Sequence, residues 1–152
     1  MEIRLAETHD IALVTHIVQQ TIREQYPHYY PPGAVTLFLE GHNEAQIGAD
    51  VAKGIVYLCL DDDQAVGTIT IDDNHLTRLY VRPDHQGHGY GRALLDFAEA
   101  KVAQQHDTAR LETTPLGRAI YRKRGYVETE YHLMWAPNGD LLTYDDMEKK
   151  LH

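Results

Sequence analysis

The chain has 152 residues, with 14 Lys and Arg against 23 Asp and Glu, a formal charge of −9. That length suits one domain that buries its core without disulfide or metal staples. The acidic total excludes a nucleic-acid binder that works by bulk charge, and the single cysteine, Cys59, excludes an intrachain disulfide.

Residues 2–6 read as a first strand. A helix follows over 10–25, with Ile11, Val14, Ile17, Val18 and Ile22 at helical spacing, and Pro27 ends it. Tyr26 to Gly33 form an aromatic, proline-rich loop, and short helical pieces fill 34–52. Residues 54–60, 65–71 and 75–82 read as a meander of three strands with turns at Asp61–Gln64 and Asp72–Asn74. Pro83 stops it. Cys59 lies in the apolar run of the first of these strands and reads as a small core residue. A helix over 91–105 carries Leu94, Leu95, Phe97, Ala98 and Val102 on one stripe. A short strand (109–113), a helix opening on Pro115 (115–124) and two strands (127–135 and 141–144) joined at Pro137-Asn138-Gly139-Asp140 complete the chain. No linker and no repeat divides residues 1–152, so a single domain is expected. The start Met1–Leu5 lacks the pattern of a signal peptide, and no run approaches the roughly 20 apolar residues of a membrane span. With one cysteine, this points to a cytoplasmic location.

The charge is uneven. Residues 78–124 hold nine cations against five acids, and the remainder holds five against eighteen. Within that window a strand runs into Gln86-Gly87-His88-Gly89-Tyr90-Gly91-Arg92 and then into a helix. Glycines permit tight turning and close ligand approach. The free N–H groups and dipole of the helix start favour an anion there. The spacing G-x-G-x-G, mid-chain after an antiparallel meander, fits neither the dinucleotide fingerprint nor a Walker loop. His85 and His88 with Asp84 lack a further ligand and make a poor zinc site, so no metal is expected.

The loop resembles the acyl-CoA loop of the GNAT superfamily of N-acetyltransferases, Gln/Arg-x-x-Gly-x-Gly/Ala, and follows a family-like Val81-Arg82-Pro83. Ala119-Ile120-Tyr121-Arg122-Lys123-Arg124-Gly125-Tyr126 resembles the family's A-x-Y-x-x-x-G-F/Y segment. The order of elements matches along nearly the whole chain. The resemblance implies an α/β fold: a mixed, mostly antiparallel sheet of about seven strands flanked by about four helices. It also implies acetyl-CoA as cosubstrate. Its pyrophosphate would lie on Gln86, Gly87, His88, Gly89, Tyr90, Gly91 and Arg92. Its pantetheine arm would lie along Leu79, Tyr80 and Val81, with Thr114 and Arg124 as further contacts.

The implied reaction is direct attack of a primary amine, small or peptide, on the thioester. Tyr121 falls on the family's tyrosine position and is the candidate acid for the leaving thiolate. His75 stands where several members carry a catalytic glutamate, and a histidine titrating near 6.5 suits a base. Glu112, on the next strand, is the rival. Strand alternation places His75, Thr77, Leu79 and Val81 on one face. Tyr26, Tyr29, Tyr30 and Glu112 are candidates for the acceptor site, expected between the first two helices and the late strands. A non-catalytic acyl-CoA sensor on the same fold is the alternative. Neither nucleic acid nor membrane is an expected partner, and the C-terminal hairpin offers an edge for a possible homodimer.

Overall fold

The computed structural model describes residues 1–152. β1 (Glu2–Leu5) leads through a 3₁₀ turn to α1 (Ile11–Gln25), followed by α2 (Pro32–Gly41) and α3 (Glu44–Ala52). The meander is β2 (Val56–Asp61), β3 (Gln64–Asp72) and β4 (His75–Val81). α4 (Tyr90–Val102), β5 (Thr108–Thr113) and α5 (Pro115–Lys123) come next, then the hairpin of β6 (Val127–Trp135) and β7 (Leu141–Lys150). All seven strands lie in one sheet, ordered β1-β2-β3-β4-β5-β7-β6. Every pairing is antiparallel except β4 with β5. This is the expected fold class.

The helices take their positions from their apolar stripes. Val14, Ile17, Val18 and Ile22 of α1 are fully buried. They pack with Ile47 and Val51 of α3 against Val56, Leu58 and Tyr80 on one sheet face. A capping box starts α3: Asn43 accepts from the Gln46 amide at 2.9 Å, and the Gln46 side chain accepts from the Asn43 amide at 3.1 Å. On the opposite face Leu94, Leu95, Ala98 and Val102 of α4 pack on Ile69, Leu76, Leu111 and Met147. Each of these valine, leucine, isoleucine and methionine side chains contributes about 1.5–3 kcal/mol by leaving water.

β7 extends to Lys150, six residues beyond the end expected from hydropathy. Three of its charged residues are paired, while Glu148 and Lys150 are exposed. Asp145 is buried against Arg118, Asp146 meets His132 at 2.8 Å, and Lys149 meets Glu99 at 2.7 Å. Met147 between them is fully buried.

Candidate active site

The sheet opens at β4. It pairs with β5 only at His75↔Arg110 and Leu76↔Leu111, so the two strands part after the first two residues. On the other side Thr77 stands opposite Thr70, and Tyr80 opposite Thr68. Three steps of β4 thus match two of β3, which is a β-bulge. Arg78 takes up the extra residue at φ 49°, a left-handed conformation that costs a non-glycine residue about 1–2 kcal/mol. The bulge reverses the alternation. Thr77 and Tyr80 share one face, while Leu79 and Val81 turn to the face covered by α4. The expectation of His75, Thr77, Leu79 and Val81 on a single face is therefore corrected, because a period-two count does not register the inserted residue.

Arg78 is anchored from outside the sheet. Its guanidinium pairs with Asp50 of α3, and its Nε donates to His42 Nδ1 at 3.0 Å. Burial, with the Arg78 charge beside it, lowers the His42 pKa to about 4. His42 is thus neutral at physiological pH, with its proton on Nε2.

Past β4 the chain enters the glycine loop. Gly89 is the N-cap of α4 at φ 87°, and no side chain caps the helix there. The amides of Tyr90, Gly91 and Arg92 occupy the first turn, where no intrahelical acceptor exists, and face outward. Gln86 pins this loop by donating to the Val81 carbonyl at 2.9 Å and to the Gln25 side chain at 3.0 Å. Its side chain is thus occupied in holding the loop. Arg92 and Lys123 line the mouth of the adjoining cavity.

That cavity measures about 600 Å³ and runs from the loop between the ends of β4 and α5 to Tyr121. A second cavity of about 550 Å³ continues on the far side, toward α1, α2 and the hairpin. The two share Leu79, Val81, Gln86, Leu95, Gly117, Ile120 and Tyr121. The Tyr121 hydroxyl bonds no protein group, and burial pushes its pKa up to about 12. Glu112 lines the second cavity and also a cleft of about 220 Å³ behind it, where His75 lies. Register explains their meeting. His75 opposes Arg110, and Glu112 is the next residue on that face of β5. His75 Nε2 hydrogen-bonds a Glu112 carboxylate oxygen, and this bond holds the Glu112 pKa below its ordinary value.

A family model for the acetyltransferase (GNAT) domain matches residues 25–139. The chain belongs to the GNAT acetyltransferase family. Solved structures agree with this GNAT assignment at the level of fold. A GCN5-related N-acetyltransferase from Rhodopseudomonas palustris superposes with a TM-score of 0.88 at 22% identity, covering 98% of this chain and 94% of that one. The PaiA N-acetyltransferase of Thermoplasma acidophilum, solved with coenzyme A, gives 0.76 at 20% identity over 98% of both chains. A putative acetyltransferase from Salmonella typhimurium, solved with acetyl-CoA, gives 0.71 at 20% identity over 100% and 94%. No curated protein matches this GNAT chain significantly in sequence.

Within this GNAT fold most of the candidate cofactor residues gather around the first cavity: Leu79, Val81, Gln86, Gly87, Gly89, Tyr90, Gly91, Arg92 and Arg124. His88 turns its Nδ1 to the carbonyls of its own loop and stacks on Tyr90. Tyr80 and Thr114 line the second cavity instead, and the Thr114 side chain caps α5. Arg124 is held by Asp96 at 2.6 Å and Glu99 at 2.5 Å. Tyr26 lines the second cavity and donates to the Tyr80 hydroxyl at 3.3 Å. Tyr30 packs on Tyr26 and Phe38, with its hydroxyl buried and unpartnered, while Tyr29 is exposed beside His28. His75 does not reach either large cavity. Sequence reasoning missed Gln25, Phe38, His42 and Arg78. A lone arginine inside an apolar strand was the available signal for Arg78, and no signal marked the others. No helix is long and apolar enough to cross a membrane.

Proposed function

We propose that this protein transfers an acetyl group from acetyl-CoA to a primary amine by direct attack. The observation that carries the reading is the Tyr121 hydroxyl, unpartnered where the glycine-loop cavity meets the cavity lined by Glu112. The loop amides and the start of α4 would hold the pyrophosphate, with Arg92 and Lys123 adding positive charge at the mouth. The unpaired stretch of β4 would hydrogen-bond the pantetheine amides, satisfying backbone groups that the sheet leaves open.

In the reaction the amine nitrogen bonds to the thioester carbon. The carbon–sulfur bond then breaks, and sulfur leaves as a thiolate facing Tyr121. Tyr121 donates a hydrogen bond to that thiolate as its charge develops. The amine loses its proton through water to Glu112, which faces the acceptor cavity. Glu112 passes the proton on to solvent, and His75, whose Nε2–H donates to Glu112 from behind, restores and orients the carboxylate. The two rival bases thus act as a pair, Glu112 taking the proton and His75 positioning the carboxylate. The test is free thiol released from acetyl-CoA in the presence of amines. Amine-dependent release is expected, and acetyl-CoA binding without such release would leave a non-catalytic sensor.

A further inference from the structure

The walls of the second cavity carry little charge. Three residues with ionisable nitrogen or carboxylate groups line it: Glu112, Arg78 and His42. Arg78 is neutralised by Asp50, and His42 is uncharged behind it. Glu112 is the one carboxylate that faces the acceptor, and no free cation stands opposite it. The rest of the surface is mainly aromatic and aliphatic, with Tyr26, Phe38 and Tyr80 on one side and Met134, Leu142 and Tyr144 on the other.

These two sides are joined. The Gly33 amide at the start of α2 donates to Asp140 at 2.8 Å, in the turn between β6 and β7. Asn138 of the same turn also reaches Asp140, at 2.9 Å. A Cβ on residue 33 would lie 2.1 Å from the Asn138 side-chain oxygen, so any larger residue there would force the Asn138 side chain to turn away. One wall belongs to the α1–α2 region and the other to the hairpin. The bridge therefore ties together the elements that carry the two walls, although its own residues do not line the cavity.

Resting on the transferase reading, we propose that the acceptor is a small amine on an apolar or aromatic body, without a carboxylate, phosphate or second ammonium. The ammonium is drawn to Glu112, and its body lies among the aromatic rings, whose faces also attract cations. A substrate carboxylate would be buried without a free cation to pair with, and the Gly33–Asp140 bridge, by holding the two walls together, would limit the width open to a peptide. An amino acid should therefore fall at least about 30-fold below its decarboxylated counterpart in kcat/KM, the cost of a buried polar group left unpaired.

The test compares phenethylamine, phenylalanine, spermidine and a ten-residue neutral peptide with a free N-terminus, each with acetyl-CoA, following thiol release. Phenethylamine is expected to lead phenylalanine by that margin and to exceed the other two. Asp140→Ala is expected to keep phenethylamine turnover and raise turnover of the peptide. Met134→Arg, which adds a cation to an exposed wall position, is expected to narrow the gap between phenylalanine and phenethylamine. Equal or better turnover of phenylalanine, spermidine or the peptide by the unaltered protein would overturn the proposal and leave the transferase reading intact. Thiol release with none of the four, while acetyl-CoA binds, would overturn both.

Discussion

Replacing Tyr121 with phenylalanine removes one oxygen and little else. The ring packs edge-on against Tyr126 with centroids 5.6 Å apart, and Phe keeps that contact. The hydroxyl bonds no protein group, so its removal strands nothing, and stability is expected to hold within about 0.5 kcal/mol. Full transfer of its proton is unfavourable. From a phenol at about 12 to a thiolate of ordinary value near 8.5 is a gap of roughly 3.5 pH units, about 5 kcal/mol. A hydrogen bond that strengthens as charge gathers on sulfur is therefore the main contribution. Such a bond to a charged group stabilises by about 1.5–3 kcal/mol. Tyr121→Phe is then expected to lower kcat roughly 10- to 150-fold, with the acetyl-CoA Kd unchanged within about twofold. Burial keeps the phenol protonated to about pH 11, so both proteins should show the same pH profile below pH 10, scaled down in the variant. The assay is thiol release across pH 6–10 with calorimetric acetyl-CoA binding. Turnover within twofold of wild type, or an alkaline limb below pH 10 that vanishes in the variant, would refute the reasoning.

Gly89→Ala tests the loop. Nothing lies near a Cβ there, so the change acts through the φ of 87° alone. It is expected to cost about 1 kcal/mol in stability and to weaken acetyl-CoA by tenfold or more as the first-turn amides move, read by calorimetry. Glu99→Gln leaves Lys149 without its carboxylate and Arg124 with Asp96 alone and is expected to cost about 2–4 kcal/mol in urea unfolding. Burial alone would raise the Glu99 pKa, but the hydrogen bonds from Arg124 and Lys149 more than reverse this, so its value in the fold is lowered. That stabilisation is present above the unfolded value near 4.3 and disappears as pH falls through the folded one. The glutamine variant should lose this part of the acid-induced destabilisation. Arg78→Met removes the anchor of the bulge and leaves Asp50 only the exposed Lys53, at 3.8 Å; a fall of about 2–3 kcal/mol is expected, with weaker acetyl-CoA binding and lower kcat.

The anion loop was readable because its glycines follow a strand and open a helix, a local arrangement. The bulge was not, because the residue that breaks the alternation is an arginine, and its left-handed backbone is held by Asp50 and His42 from distant helices. The full length of β7 was also hidden, since residues 145–150 look solvated until Arg118, His132 and Glu99 are brought beside them. His75 and Glu112 were both visible as candidate bases. Their partnership depends on the short parallel register between β4 and β5, which the sequence does not express. Tyr29 was named with its neighbours for composition alone, and the backbone turns it outward.

β6 ends the sheet, and eight of its nine side chains are exposed. Among them is Trp135, the one tryptophan of the chain, 67% exposed. The intrinsic emission of this protein therefore comes from its rim. It should be red-shifted and readily quenched by acrylamide in the folded state, and it should change little as the two cores melt. Heat or urea unfolding followed at tryptophan wavelengths would underreport the transition, which the buried Tyr57, Tyr80 and Tyr126 record better. The same probe is well placed for another event: a second strand pairing along β6 would shield it and shift its emission to the blue.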